Sequence, residues 1–336
     1  MNAVYRIRRG EGVASLQLGH AEDLPLLPDE VRIRMRAVSL NFRDLLVAKG
    51  QMGAGDVRVP ASDGAGEVIE IGSAVTRFAK GDRVVPTFFP EWLDGAPDDA
   101  ALSKSLGGNV DGVLAELFVA KESALVRAPE SLTWAEASTL ACAGVTAWHA
   151  LFGIGSVREG EHILIQGTGG VSTWALQLAV AAGLRPTVLS SSDEKLQRAK
   201  SLGAVHTINY ANEPAWDARV QHLTGGAHRV LDVGGADTIA RSIASTRAGG
   251  TVVTIGGVSG GFALSIDPFA LVGPRSVTGV VVGSRAMTEA LGAFIDEHRV
   301  RPAIDRVVPF SEVASAYARL ESGQPFGKVV VAISDP

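Results

Sequence analysis

Cysteine is almost absent: Cys142 is the one thiol in 336 residues. One cysteine forms no internal disulfide and cannot by itself hold a metal, so the fold rests on packed cores. No stretch approaches the roughly 18 uninterrupted apolar residues of a membrane span, and the amino terminus lacks the apolar core of a signal peptide. Neither membrane insertion nor export is indicated, and a cytoplasmic location is the expectation. Basic blocks are scarce as well. Nothing exceeds Arg6-Ile7-Arg8-Arg9 and the formal charge is −5, so a nucleic-acid partner has little electrostatic support. That short patch reads as a solvated strand edge. What is present is an ordinary globular composition, 46% hydrophobic and 20% charged with 39 glycines, in a chain long enough for two domains.

From about residue 160, short apolar strands alternate with amphipathic helices, the signature of βαβ units around a parallel sheet. The pattern predicts strands at 163–166, 186–190, 206–210, 229–233, 251–256 and 276–282, with helices near 171–182, 193–202, 214–223 and 236–247. Before residue 125 the texture differs: 31–38 alternates at period two, and 64–72 reads as a strand between turns. Residues 88–112 carry Pro, Asp and Gly without periodicity and read as an ordered lobe or lid. Phe89 and Trp92 in that lobe suit an apolar substrate wall or packing within the lobe. Residues 327–333 return to strand. The fold class is α/β: a mostly β domain at 1–124, a doubly wound nucleotide-binding domain at 125–268, and a segment 269–336 that adds the last strand of the parallel sheet and returns to the first domain.

The most informative segment is Ile163-Leu164-Ile165-Gln166-Gly167-Thr168-Gly169-Gly170-Val171-Ser172. A strand ends in glycines and a helix opens at once. Gly167 permits a tight turn, Gly169 and Gly170 permit close approach of a pyrophosphate, and the helix start presents N–H groups to the anion. Ser172 stands where the usual fingerprint has its third glycine, and its hydroxyl is a further donor at the helix start.

Several landmarks occur in order: Asn41-Phe42-Arg43-Asp44, Asp63-Gly64-Ala65-Gly66-Glu67-Val68, Gly81-Asp82-Arg83-Val84, Gly144-Val145-Thr146-Ala147, the glycine turn, and Phe326-Gly327-Lys328-Val329-Val330. Together they resemble the medium-chain dehydrogenase/reductase superfamily over essentially the whole chain. Within it the chain resembles the zinc-independent, quinone-oxidoreductase-like branch, and Asn41-Phe42-Arg43-Asp44-Leu45-Leu46 is similar to a motif of enoyl-reductase domains in polyketide synthases. The resemblance implies a GroES-like catalytic domain and a Rossmann domain, with substrate bound in the cleft between them. Aligned by these motifs, the cysteine, histidine and cysteine that hold catalytic zinc in other members fall at Asn41, Ser62 and Cys142. An amide, a hydroxyl and one thiol make a poor zinc site. Residues 88–112 also lack the four cysteines of a structural zinc, so no metal is expected. Cys142 reads as a small buried residue near the nicotinamide rather than a nucleophile.

The same alignment puts Ser190 where NAD-preferring members carry an acidic residue for the ribose 2′-hydroxyl. Ser190 and Ser191 with Lys195 suit a 2′-phosphate, so NADP(H) is the expected cofactor; the competing reading has Ser192 capping a helix and Lys195 solvated. Further contacts follow from the resemblance: the pyrophosphate on Gly167, Thr168, Gly169, Gly170 and Val171; Thr146 near the nicotinamide; Tyr210 on the adenosine side; Gly234 and Gly256 at later strand ends; Val258 by the nicotinamide ribose; and Lys328 as a second anchor for cofactor or substrate. A turn role for the glycines, core cover for Tyr210 and a solvated edge for Lys328 are the alternatives.

Without zinc, hydride transfer to an activated C=C bond or a quinone needs positioning and a donor for the developing oxyanion. Asn41 is the candidate donor, with Asp44 to orient a proton relay and Arg43 to supply positive charge; an Arg43–Asp44 ion pair that merely stabilises a loop is the alternative. His149, in an apolar helix-like run, reads as a core histidine. The expected substrate is a conjugated carbonyl or quinone. Alcohol/ketone oxidoreduction and an NADPH-binding structural or regulatory role are the competing functions. Pairing of the apolar strand at 277–282 with its copy is expected to give a homodimer.

Overall fold

The period-two run at 31–38 lies inside a longer strand, Glu30–Leu40, where Val31, Ile33 and Met35 are buried and Arg34 is exposed. Arg32 and Arg36 pair across the ladder with Glu70 and Glu67 at 2.8 and 2.7 Å. Apolar packing and opposite charges thus agree on the pairing of this strand with 63–71, whose register shifts between Arg32 and Ile33 and again between Met35 and Ala37.

The computed structural model describes residues 2–259, 261 and 263–333. Its strands in chain order are β1 (Asn2–Arg8), β2 (Gln17–Ala21), β3 (Glu30–Leu40), β4 (Val57–Arg58), β5 (Asp63–Ile71), β6 (Arg83–Pro86), β7 (Leu117–Lys121) and β8 (Leu125–Arg127). There follow β9 (His162–Gln166), β10 (Arg185–Ser190), β11 (His206–Asn209), β12 (Ala227–Asp232), β13 (Thr246–Thr254), β14 (Ser276–Gly279), β15 (Ile304–Pro309) and β16 (Lys328–Ala332). The chain divides into two compact units, one made of Met1–Val145 with Val282–Pro336 and the other of Thr146–Val281.

The first unit carries the GroES-like domain. Its main sheet runs β15-β16-β3-β5-β6-β8, with β7 also paired to β3, and a second sheet runs β2-β1-β4. Its core gathers Val31, Ile33, Met35, Leu40 and Leu114 with Val313, Ala316 and Tyr317 from the helix Val313–Glu321. Residues 125–145 belong here rather than with the nucleotide domain, because β8 pairs with β6 through Val84↔Arg127 and Pro86↔Leu125. The patch at Arg6–Arg9 is also not simply solvated, since Arg9 donates to the carbonyls of Gly50 and Gly55 at 2.9 and 3.0 Å. In the lobe, Phe89 packs edge-on to Phe88 and against Trp92, whose indole N–H donates to Gly95 O at 2.9 Å. Both aromatics are buried and pack on one another within the lobe.

The second unit is a parallel sheet in the order β11-β10-β9-β12-β13-β14. The helix Gly170–Ala181 buries Trp174, Ala175 and Leu178, and the helices Asp193–Ser201 and Trp216–Thr224 fall where the periodicity puts them. Two elements are shorter than expected. The last predicted helix is confined to Ile239–Ala244, because β13 already begins at Thr246. β14 stops at Gly279, and by Val282 the backbone has φ 46°, a left-handed conformation no strand contains.

Gly66 on β5 opposes Met35, and an added Cβ would stand 2.4 Å from the Arg34 carbonyl oxygen and 2.6 Å from Ile33 Cγ2. Gly66→Ala is expected to lower the unfolding free energy by ~1–3 kcal/mol, read as a fall in the urea midpoint at unchanged m-value.

Candidate functional site

In the parallel sheet, β10 and β11 lie to one side of β9, while β12, β13 and β14 lie to the other. The winding reverses between β9 and β12, and a doubly wound sheet opens its ligand crevice at the carboxyl ends of two such strands. The glycine turn sits there. Gly167 has φ 73°, which only glycine adopts without strain, and its N–H donates to Leu189 O at 2.8 Å. Gly169 is exposed, and the position its Cβ would take has no atom within 4 Å. Gly170 then starts a helix of 12 residues, with Thr168 buried and Val171 half-buried beside it. An open backbone cradle at a helix N-terminus suits a pyrophosphate in both shape and charge. Ser172 has a different task from the donor role expected of it: its hydroxyl is buried and donates to Gln166 O at 2.7 Å, closing the turn from below.

A polar network supports this turn, and sequence reasoning missed it. Asp232 ends β12 and accepts from Gly235 N at 2.9 Å, Thr238 Oγ1 at 2.8 Å and Ser242 Oγ at 2.5 Å. Gln166 ends β9 and donates to Asp232 at 3.3 Å and Ser242 at 2.6 Å, while its Oε1 accepts from Gly234 N at 3.4 Å. The ends of the two switch-point strands are thereby locked together. Strands that end in Gln and Asp within apolar runs were the available signal.

The remaining nucleotide-side residues also collect at strand ends. Ser190 ends β10 and is buried, with its Oγ accepting from Ser192 N at 3.3 Å, whereas Ser191 is exposed. Tyr210 follows β11, is 44% exposed and donates its backbone N–H to Ser190 O at 3.1 Å. Ser192 caps the next helix by accepting from Lys195 N, and Asp193 accepts from Asn209 Nδ2 at 2.7 Å. Val258 follows β13, is 58% exposed and donates to Val233 O at 3.1 Å; Gly256 lies two residues before it. Thr146 is buried in the short helix Val145–Trp148.

In the first unit, Asn41, Arg43 and Asp44 form one turn at the start of the helix Phe42–Ala48. Asp44 is buried and accepts from Asn41 N at 2.8 Å. Arg43 lies 3.5 Å from the Asp44 carboxyl, donates to Leu106 O at 2.8 Å and stacks 4.7 Å over Phe88. Lys328 does not stand on a solvated edge. It is 2% exposed, and its Nζ donates to Leu40 O at 2.8 Å and Asn41 Oδ1 at 2.5 Å, with Asp63 Oδ2 at 3.8 Å. Asp63 accepts from Ser62 Oγ at 2.9 Å and is fully buried. Burial pushes its pKa up, opposed first by Lys328 and then by the side-chain dipoles of Asn41 and Ser62. Asn41 Nδ2 is buried and turned toward the Asp63 carboxyl without closing to a full hydrogen bond.

These residues do not fit a catalytic zinc, which asks for three ligands of thiolate, imidazole or carboxylate type and an open position. Of the three positions the resemblance points to, Asn41 has its oxygen taken by an ammonium and Ser62 has its hydroxyl committed to Asp63. Cys142 is half-buried, and the protein packed around its sulfur, with Asp63 adding to it, pushes its pKa up and keeps it a neutral thiol. Among the described residues no three His, Cys, Asp or Glu side chains converge to hold a metal.

Burial pushes the Asp44 carboxyl up to about 6 from the ordinary 3.8, against the pull of Arg43 and the Asn41 N–H. The neutral acid therefore favours folding, and the unfolding free energy falls as pH rises between these two values, with a limiting slope of ~1.4 kcal/mol per pH unit. Asp44→Asn removes this component. Urea titrations from pH 4 to pH 7 are expected to show the wild-type stability declining relative to the variant up to about pH 6, and running parallel above it.

Residues 27–130 match the alcohol dehydrogenase GroES-like domain family, and residues 170–297 match the zinc-binding dehydrogenase family. A zinc-type alcohol dehydrogenase-like protein of Schizosaccharomyces pombe is 43% identical over 322 residues, 92% of each chain. A quinone oxidoreductase of Pseudomonas aeruginosa is 32% identical over 317 residues, covering 90% of this chain and 91% of its own. The crystal structure of a candidate alcohol dehydrogenase from Sinorhizobium meliloti matches with a TM-score of 0.91 at 41% identity, covering 99% of this chain and all of the other. Two matched domains in this order, with relatives spanning almost the full length, make the chain a member of the medium-chain dehydrogenase/reductase superfamily of oxidoreductases.

Proposed function

We propose that the protein is a zinc-independent, NADP(H)-dependent reductase of activated C=C bonds or quinones. The observation that carries this reading is the filling of the implied zinc positions by Asn41, Ser62 and Cys142, with a buried ammonium bonded to the first. A carbonyl with no metal to polarise it is a poor hydride acceptor, whereas a conjugated system spreads the incoming charge onto a distant oxygen. The likeness to a quinone oxidoreductase over most of the chain supports the same substrate class. NADPH, when bound, supplies a hydride from its nicotinamide ring. The glycine turn and the helix at Gly170 hold the pyrophosphate, and Thr146, Gly234, Gly256 and Val258 line its nicotinamide half. Ser190 and Ser191 at the end of β10, with Lys195 and Tyr210, receive the phosphorylated ribose; no carboxylate ends that strand to repel it. Asn41 Nδ2 donates to the substrate oxygen as charge develops there, and Arg43 and Asp44 fix the helix turn from which it projects.

The test is NADPH consumption with 1,4-quinones, α,β-unsaturated ketones and simple ketones, each with and without a chelator. Turnover of the first two classes, unchanged by chelator, is expected. Loss of activity with chelator overturns the zinc-free reading, preference for simple ketones points to alcohol/ketone chemistry, and tight NADPH binding without turnover points to a non-enzymatic role. Cofactor choice has its own test. Ser191→Asp places a carboxylate at an exposed position beside the 2′-phosphate and is expected to raise the Kd for NADPH by about 10-fold or more, ~1.4 kcal/mol, while leaving NADH binding nearly unchanged in fluorescence titrations.

A further inference from the structure

Lys328 enters β16 after Gly327, which has φ 87° and would bring a Cβ to 2.1 Å from the Ala303 carbonyl oxygen, so only glycine makes this entry. The pairing Val329↔Leu40 then delivers the ammonium to the end of β3, where it meets Leu40 O, Asn41 Oδ1 and the Asp63 carboxylate. An ammonium has three donors and no acceptor. It therefore tolerates one of the two flips of the Asn41 amide, the one with oxygen toward Nζ and nitrogen turned from it. Asp63 Oδ1 is already engaged by Ser62, and Asn41 Nδ2 is turned toward the Asp63 carboxyl without closing to a full hydrogen bond, which leaves an N–H to give. A buried donor that is not fully engaged gains free energy from any acceptor that reaches it, and a substrate oxygen is one such acceptor.

We infer that Lys328 is a positioning residue whose ammonium holds Asn41 Oδ1 and so locks the amide in the flip that presents Nδ2, rather than Oδ1, to the substrate oxygen. This rests on the reading of Asn41 as the oxyanion donor. Lys328 touches neither substrate nor cofactor in this scheme, and its effect passes wholly through Asn41. Removing the charge removes the donor that holds Oδ1, so that the amide turns more freely and its oxygen reaches the face where negative charge develops.

The experiment is a double-mutant cycle on NADPH-dependent reduction of 1,4-benzoquinone with N41A, K328M and the double variant, each first shown to be folded by its urea transition. N41A and K328M are each expected to lower kcat on the order of 10- to 100-fold with little change in KM for NADPH. The double variant is expected to be no slower than N41A, because a residue that acts only by aiming Asn41 has nothing left to aim. Wild-type kcat in folded K328M, or a further loss when it is added to N41A, overturns the inference and leaves Asn41 standing. Wild-type kcat in N41A overturns the reading of Asn41 itself, and the inference with it. Should K328M not fold, K328R and K328Q decide the matter. Arginine carries donors only and is expected to retain more kcat than glutamine, which both donates and accepts and so selects neither flip; equal kcat in the two overturns the inference.

Discussion

A buried lysine ammonium beside a buried aspartate carboxylate is the constraint on which the β-rich unit turns. Neither charge is tolerable alone in that interior, and together they still need polar partners to offset lost hydration. The chain supplies these from three adjacent strands: Lys328 from the start of β16, Leu40 and Asn41 from the end of β3, and Asp63 with Ser62 from the start of β5. The registers Val329↔Leu40 and Ser39↔Asp63 are thus both sheet geometry and site geometry. A slip of one residue would turn each of these groups to the opposite face. Sheet order and chemistry are one requirement here.

The nucleotide unit solves a different problem by similar means. Its crevice must stay open on the ligand side and rigid on the protein side. Apolar strands cannot pin their own ends, so Gln166 and Asp232 close β9 and β12 with a hydrogen-bonded web that reaches Ser242, Thr238 and the backbone of Gly234 and Gly235. Ser172 adds a tie from the first helical turn to the strand end. The third glycine of the usual fingerprint lets helix and strand approach closely. A serine is accommodated here because its hydroxyl finds a carbonyl to bond.

Most of the architecture was legible from local pattern. Period-two alternation located β3, and short apolar runs with glycine punctuation located β9 to β13 to within a few residues, because burial on both faces imposes that texture. The glycine turn was readable because strand, turn and helix are contiguous. The charged cluster was not. Asn41, Asp63 and Lys328 each stand in a motif visible in the sequence, but their meeting depends on strand register across 287 residues, and nothing local encodes that. Lys328 accordingly read as a solvated edge or a cofactor anchor. The aromatics of the lobe carried the same ambiguity, and the Trp92 to Gly95 hydrogen bond ties the indole within the lobe.

The position of Lys328, beyond the inserted unit in the sequence, also bears on synthesis. By the time residue 281 has left the ribosome the whole of Thr146–Val281 is available to fold, whereas Asn41 and Asp63 still wait for a cation that has not been translated. The surrounding unit is topologically split, and its sheet lacks β15 and β16 until residues 304–332 emerge. Until β16 arrives, the Ala37–Leu40 edge of β3 has no partner on that side and Asp63 has no cation beside it, and an open strand edge is where aggregation and chaperone capture begin.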